Sequence, residues 1–160
     1  MASCGYDKKV YIWKETSHNK WEKIFEYTDH KNSVNSVSFC PEEYGLILIC
    51  GSSDGNVSIH EYKSNIIFIL DDNWNTAVLP AHKFGVTSLV WATLHNNPLR
   101  FISGGRDGTI KIWSTKENNF GHDIGSFSLD YTLEGHSESI NDIIWKYENE
   151  QEFIISGGEV

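Results

Sequence analysis

The sequence has few of the residues that mark a nucleic-acid-binding, zinc-binding or disulfide-rich protein. Only two of its 160 residues are arginine, and the formal net charge is −9. Nucleic acids and anionic membranes attract clustered positive charge, so neither is expected as the main partner. The cysteines Cys4, Cys40 and Cys50 form no Cys-x-x-Cys pair, which disfavours a zinc site and a disulfide framework. We therefore expect small buried thiols in a reducing compartment.

Long apolar runs and helical periodicity are also missing. No run approaches the roughly 20 apolar residues needed to span a bilayer. The run LILIC, residues 46–50, has the length of a single strand. Apolar residues do not recur at helical spacing, and the chain has only three prolines. Because 39% of the residues are hydrophobic and 13% aromatic, we expect a folded, all-β protein.

One short phrase recurs along the chain. SGGRDGTIKIW (103–113) is similar to CGSSDGNVSIH (50–60) and SCGYDKKVYIW (3–13), and SGGEV (156–160) repeats its beginning. In the three longer copies an aspartate is followed six residues later by tryptophan or histidine. Histidines at 30 and 82 precede the aspartates of the next copies by 24 and 25 residues, and a third histidine lies at 136. The chain is therefore built from repeats of one unit.

Each unit predicts four β-strands. The strand after the histidine is expected to end in an aromatic residue, namely Phe39, Trp91 or Trp145. A second apolar strand follows, and the aspartate lies in a tight turn before the third strand. Asp-Gly at 54–55 and 107–108 favours a type I′ hairpin, in which both central residues have positive φ. A variable fourth strand then leads to the next histidine.

Four-stranded sheets in series are typical of a β-propeller, because stacked neighbours bury both faces of each sheet. We predict a single partial β-propeller over 1–160, with about three blades' worth of four-stranded antiparallel sheets. Its blade parts are approximately 1–27, 28–79, 80–133 and 134–160, the last incomplete. The extra length per repeat is assigned to loops at 63–73 and 115–125. The first part supplies the last strands of one blade, and the last part supplies the first two strands of another. Two copies joined head to tail would therefore complete a six-bladed ring, so a homodimer is predicted.

Histidine, serine and aspartate together invite a catalytic-triad interpretation. A triad serves one active site with one oxyanion hole, whereas these residue types recur in every unit. Recurrence favours a structural network that satisfies buried polar groups. Its predicted members are Ser3, Asp7, Trp13, His30, Asp54, His82, Ser103, Asp107, Trp113, His136 and Ser156. His60 stands where the other copies carry tryptophan, and we interpret it as a tolerated substitution that removes the indole donor.

No phosphate-binding loop, metal-ligand spacing or paired carboxylates stand out in the sequence. We therefore predict no catalytic, cofactor-binding or metal-binding residue, and we do not expect an enzyme; a propeller hydrolase is the disfavoured alternative. Charged and aromatic residues near the turns are expected on the rims of the propeller, exposed to solvent. They are Tyr6, Lys8, Lys31, Lys83 and Arg106.

Three stretches resemble the Sec-thirteen family, the small WD-repeat β-propeller subunits of the COPII outer coat. They are WEKIFEYTDHKNSVNSVSFCPEEYGLILICGSSDG (21–55), FISGGRDGTIKIW (101–113) and LEGHSESINDIIW (133–145). The resemblance implies a non-enzymatic scaffold for transport from the endoplasmic reticulum to the Golgi, without a cofactor. It also implies a role in the Y-shaped complex of the nuclear pore.

The same resemblance implies partners and a location. A large α-solenoid coat subunit is expected to contribute a blade to the propeller. The protein would lie on the cytoplasmic side of exit sites and COPII vesicles, peripheral to the membrane through the coat only. The family's opening blade is expected to be missing from these 160 residues, so no partner-contact residue is assigned. The alternative function is a peptide-binding WD-repeat adaptor, either a ligase substrate receptor or a histone-tail reader.

Overall fold

The computed structural model describes residues 1–63, 74–92, 98–116 and 123–159. These residues form thirteen β-strands and two 3-10 helices, Glu42–Tyr44 and Ile124–Ser126, with no α-helix among them. The all-β prediction is confirmed. The loops expected at 63–73 and 115–125 lie largely outside the described residues.

The strands form four antiparallel sheets, which follow one another along the chain. The first sheet has the order β1 (Ala2–Cys4), β2 (Val10–Ser17) and β3 (Lys20–Tyr27). The second contains β4 (Val34–Phe39), β5 (Ile47–Ser52), β6 (Asn56–Tyr62) and β7 (Trp74–Pro80). The third contains β8 (Val86–Trp91), β9 (Arg100–Gly105), β10 (Ile110–Ser114) and β11 (Ser128–Leu133). The fourth is the hairpin of β12 (Ile140–Glu148) and β13 (Gln151–Gly158).

The sheets stack in chain order, as the blades of a propeller do. The leading strands β4, β8 and β12 contact one another in turn, and β1 contacts β4. This arrangement confirms a partial propeller. As expected, β4 and β8 end at aromatic residues, but β12 continues for three residues beyond Trp145.

Apolar clusters fill each interface between neighbouring sheets. Leu48 and Cys50 of β5 pack toward the first sheet with Val10 and Ile12. The alternate residues of β5, Ile47 and Ile49, belong to the cluster shared with the third sheet, which includes Phe101, Trp113 and Phe127. Residues 47–50 are at most 1% exposed. The uninterrupted apolar run of β5 therefore follows from burial on both faces.

The aspartate turns differ from the type I′ prediction, which is wrong. Gly55 and Gly108 have φ of 91° and 74°, but Asp54 and Asp107 are not among the residues with positive φ. The Asp54 carboxylate accepts the backbone N–H of Asn56, and this contact keeps the aspartate out of the left-handed region. Each turn is therefore a three-residue loop with a left-handed glycine in its last position. Two consecutive positive φ values occur instead at Asn149-Glu150, between β12 and β13.

The expectation of buried thiols is correct for Cys40 and Cys50, whereas Cys4 is only partly buried. Burial raises the pKa of Cys40 to about 12 and also raises that of Cys50, so both thiols stay protonated. Across the described ranges, no helix has the length and apolar character that crossing a membrane requires.

Candidate functional site

The third sheet contains a complete hydrogen-bonded chain of four side chains. His82 Nδ1 lies 3.0 Å from Asp107 Oδ1, and His82 Nε2 lies 2.8 Å from Ser103 Oγ. The indole N–H of Trp113 donates to the same Ser103 oxygen across 3.0 Å. Since an indole nitrogen only donates, Ser103 must donate its proton to His82, which in turn donates from Nδ1 to Asp107. Four of the predicted residues are thus brought together.

The carboxylate of Asp107 ties two loops together. It accepts the hydroxyl proton of Thr109 across 2.7 Å and the backbone N–H of Lys83 across 3.1 Å. It therefore links the turn between β9 and β10 to the loop that precedes β8. Gly105 lies against the His82 ring, and a Cβ atom there would overlap the imidazole. The small residue at this position follows from the close approach of strand and ring.

The second sheet contains a longer chain of the same kind. His30 joins Asp54 (3.1 Å) to Ser58 (2.9 Å), as expected for the first two residues. Ser58 Oγ lies 2.9 Å from His60 Nε2, and His60 Nδ1 lies 2.9 Å from Thr76 Oγ1. The Asp54 carboxylate can only accept, so His30 donates to it from Nδ1. His30 Nε2 then accepts from Ser58, Ser58 accepts from His60, and His60 accepts from the Thr76 hydroxyl. His60 thus supplies the donor that we expected this unit to lack.

Sequence reasoning missed Ser58 and Thr76. By position in the repeat, Cys50 takes the place of Ser103 and provides no hydroxyl group. Ser58 is the direct cross-strand neighbour of Cys50, just as Lys111 is the neighbour of Ser103. In the third sheet the hydroxyl group lies on the second strand, at Ser103. In the second sheet it lies on the third strand, at Ser58, which is the residue paired with Cys50. The strand register, once inferred from the turn, would have identified Ser58.

The two end sheets hold separate parts of this network. In the first sheet the Trp13 indole donates to Ser3 across 2.9 Å. Asp7 accepts the backbone N–H of Lys9, and no histidine reaches it within the described residues. In the fourth sheet His136 Nε2 lies 2.7 Å from Ser156 Oγ. Neither an aspartate nor a tryptophan joins that pair in the part of the chain that the structure covers.

The protonation states follow from burial and hydrogen bonding. Burial lowers the pKa of His82, although the Asp107 carboxylate opposes this shift. Burial, together with the nearby His30, lowers the pKa of His60 to about 3. Burial raises the pKa of Asp107, but hydrogen bonds from Thr109 and His82 outweigh it and hold the pKa at about 2. At neutral pH both of these histidines are therefore neutral, and Asp107 is ionised.

The geometry leaves little room for triad chemistry. Ser103 is 0% exposed, and its oxygen already accepts the Trp113 indole proton. A nucleophile needs a path for its substrate and an oxyanion hole beside it, and Ser103 is closed to solvent. Among the residues that the structure describes, no three histidine, cysteine or acidic side chains form a metal-binding group. The rim residues Tyr6, Lys8, Lys31, Lys83 and Arg106 are all exposed.

Comparison with protein families decides the class of repeat. The family model described as "WD domain, G-beta repeat" matches residues 21–61 and 73–114, more than half of the chain. The chain belongs to the WD-repeat family. Each matched segment of this WD-repeat protein begins within one residue of the start of the last strand of one sheet and ends in the third strand of the next.

The chain is also similar to curated SEC13 proteins. It is 41% identical to "Protein transport protein SEC13-2" of Candida glabrata, over 91% of this chain and 48% of the relative. It is 36% identical to "Protein transport protein sec13" of Aspergillus fumigatus, over 91% and 50%, respectively. It is also 36% identical to "Protein SEC13 homolog" of Drosophila melanogaster, over 91% and 42%. The chain spans about half the length of the curated relatives it matches.

Proposed function

We propose that this SEC13-type chain is a non-enzymatic structural component of the secretory transport machinery. Its relatives are named as protein transport proteins. The observation that carries the proposal is the recurrence of one sealed hydrogen-bond network in successive sheets, with Ser103 and Ser58 both 0% exposed. Buried networks of this kind fix the geometry of a fold, which is the property that a scaffold needs.

The finer proposal assigns the chain to the COPII coat, between the endoplasmic reticulum and the Golgi. A large α-solenoid coat subunit that contributes a blade is the proposed partner, on the cytoplasmic side of exit sites and vesicles. A shared role in the Y-shaped complex of the nuclear pore belongs to the same proposal. These assignments rest on the resemblance to SEC13 proteins and on the open surfaces of the end sheets.

The fourth sheet offers a surface suited to such a partner. Ile144 and Ile155 face each other across β12 and β13 and are 53% and 57% exposed. Phe153, two residues before Ile155, lies on the same face and is 46% exposed. The opposite face of this sheet packs on the third sheet through Ile143 and Trp145. An apolar face beside a strand edge supports the addition of further β-structure.

Affinity purification from cells tests the proposed partner. We expect the tagged chain to retain, in stoichiometric amount, an α-solenoid protein with a separate β-blade, identified by mass spectrometry. The double variant Ile144→Asp, Ile155→Asp should lose at least about tenfold of it, because charges would be buried in the contact. Tyr131→Asp, at an exposed position on β11, is the matched control and should retain it. Equal retention by the double variant, or retention of no solenoid protein at all, would contradict the proposal.

We also propose that two copies of the chain associate head to tail when no other partner is present. The first sheet carries Asp7 and Trp13, and the fourth carries His136 and Ser156, which are complementary parts of one network. Bringing the end sheets together gives five strands, one more than the second or third sheet has. We expect the three-residue β1 to be displaced, because it has the fewest pairs to lose.

Light scattering at several concentrations measures this association. The expected result is a mass approaching twice 18.2 kDa as the concentration rises. Asp7→Ala should weaken the dimer, because His136 would then meet no carboxylate, whereas Asp130→Ala should not. A stable monomer at every concentration would exclude the dimer.

A further inference from the structure

A groove lined with aromatic side chains lies between the first and second sheets, at the end opposite the aspartate turns. Its volume is about 570 Å³, and its main lining residues are Trp13, Trp21, Phe39, Leu46, Tyr62 and Trp74. We call this feature the aromatic groove. Its walls come from β2, from the ends of β4 and β6 and from the starts of β3 and β7. It lies away from the exposed face of the fourth sheet, and it shares Trp13 with the first sheet's part of the hydrogen-bond network.

The lining residues are large and apolar, yet several of them face solvent. Trp21 is 47% exposed, Tyr62 43%, Leu46 40% and Phe39 37%. Single exposed apolar residues are common on protein surfaces, but a contiguous set that lines one concavity marks a binding surface. These side chains are the ones that a ligand would remove from water.

The aromatic rings are held in place before any ligand arrives. Tyr62 and Trp74 are cross-strand partners with ring centroids 5.3 Å apart. Trp74 also packs on Phe25 of the first sheet, with centroids 4.6 Å apart. A preformed groove loses little conformational entropy on binding.

Polar donors are available inside this apolar surface. The Trp13 indole N–H donates to Ser3. Within the described ranges, the indole N–H groups of Trp21 and Trp74 donate to no protein acceptor. An indole nitrogen carries a donor and no acceptor, so the ligand must offer acceptors such as backbone carbonyls.

The charge of the groove restricts the ligand further. Lys14 and Glu15 are the charged side chains in its lining, and their charges cancel. The chain as a whole carries −9, which would repel an acidic peptide. For a basic peptide, the lining offers one acidic residue, Glu15, and no cluster of acidic residues. Charge complementarity thus favours a ligand with few charges.

We propose that the aromatic groove binds a proline-rich, sparsely charged peptide segment in the polyproline II conformation. Such a segment presents apolar ring faces with exposed carbonyls that lack internal hydrogen bonds, and it pairs with aromatic ridges and indole donors. Its conformation exists before binding, which keeps the entropic cost low. The proposal stands independently of the coat assignment, since it rests on this groove alone.

The test uses the 160-residue chain labelled with ¹⁵N and titrated with a twelve-residue Pro-Pro-Ser repeat peptide. We expect the indole signals of Trp21 and Trp74 to shift, with Kd on the order of 100 µM, while the buried indole of Trp113 stays unchanged. An Ala-Ala-Ser repeat of equal length should bind at least about tenfold more weakly, because it lacks the preformed conformation.

Variants of Trp21 separate the contribution of its aromatic ring to binding from that of its indole N–H. Trp21→Ala should weaken binding about tenfold, and Trp21→Phe, which keeps a ring and loses the N–H, should have an intermediate effect. Trp21 is about half exposed, so neither change should prevent folding. Tyr131→Ala, on β11 and outside the groove, is the matched control and should bind as the parent chain does.

Three results would overturn the proposal. The first is the absence of any indole shift with the proline peptide, and the second is equal binding of the alanine peptide. The third is a concentration-dependent shift of the same indoles without peptide that persists in Asp7→Ala, the variant expected to weaken the head-to-tail dimer. This shift would identify a second copy as the occupant of the groove.

Discussion

Replacing His82 with alanine is expected to lower the free energy of unfolding by about 3 kcal/mol. The substitution removes the central member of the chain from Trp113 to Asp107 and leaves the buried Ser103 hydroxyl without its acceptor. It also leaves Asp107, whose side chain is 16% exposed, without its imidazole partner. Urea denaturation followed by tryptophan fluorescence measures the change.

Two further variants control for the loss of a histidine as such. His18→Ala lies in the exposed turn between β2 and β3 and should change stability by no more than about 0.5 kcal/mol. His136→Ala removes a single side-chain hydrogen bond and should cost about 1 kcal/mol. If the His82 variant fails to fold, Ser103→Ala provides the comparison. Unfolding of His82→Ala at the same urea concentration as the parent would mean that the network does not brace the sheet.

Acid is expected to destabilise the protein through His60. The unfolded chain binds a proton at this histidine below a pH of about 6.5, whereas the folded chain does so only near its pKa of about 3. The unfolding free energy therefore decreases with decreasing pH through this interval. The expected contribution is about 3 kcal/mol at pH 4.5 and about 4 kcal/mol at pH 3. Urea denaturation at a series of pH values measures this slope.

The variant His60→Gln isolates this contribution. A glutamine amide can donate to Ser58 and accept from Thr76 as the imidazole does, but it does not titrate in this range. Its stability should depend less on pH between 6.5 and 4, with His82 supplying part of the remaining slope. Asp107, with its lowered pKa, adds a loss only below a pH of about 4. Identical pH profiles for the parent and His60→Gln would refute the assignment.

The spacing of the repeats predicted most of the fold and part of the hydrogen-bond network. Histidine and aspartate 24 or 25 residues apart predicted two pairs, which lie 3.1 Å and 3.0 Å from each other in the folded chain. Spacing sufficed because, in the second and third sheets, the same hairpin turn returns the aspartate to the loop that holds the histidine. The turn type itself was wrong, since the aspartate side chain caps its own turn and sets the backbone conformation.

Other features depend on contacts that have no fixed spacing. Ser58 replaces the hydroxyl of Ser103 from a neighbouring strand, so alignment of the repeats alone misplaces it. The aromatic groove brings together Trp21, Phe39, Tyr62 and Trp74 from four strands in two sheets. No local pattern joins these residues, because their proximity arises only when the sheets stack.

Each repeat matched by the family model begins with the last strand of the preceding sheet. This offset of one strand between repeats and sheets has a mechanical consequence. The repeat matched at 73–114 contributes β7, which pairs along seven residues with β6 of the preceding repeat. Each repeat thus contributes one strand to the sheet of the repeat before it, and this strand pairing holds consecutive repeats together. A protease cut between β6 and β7 would break the chain and leave the two pieces fastened by this ladder. Tension along the chain would act at Asn56 and Pro80, which pair with each other at one end of this ladder. The hydrogen bonds would therefore open one after another from that end, and would not resist together.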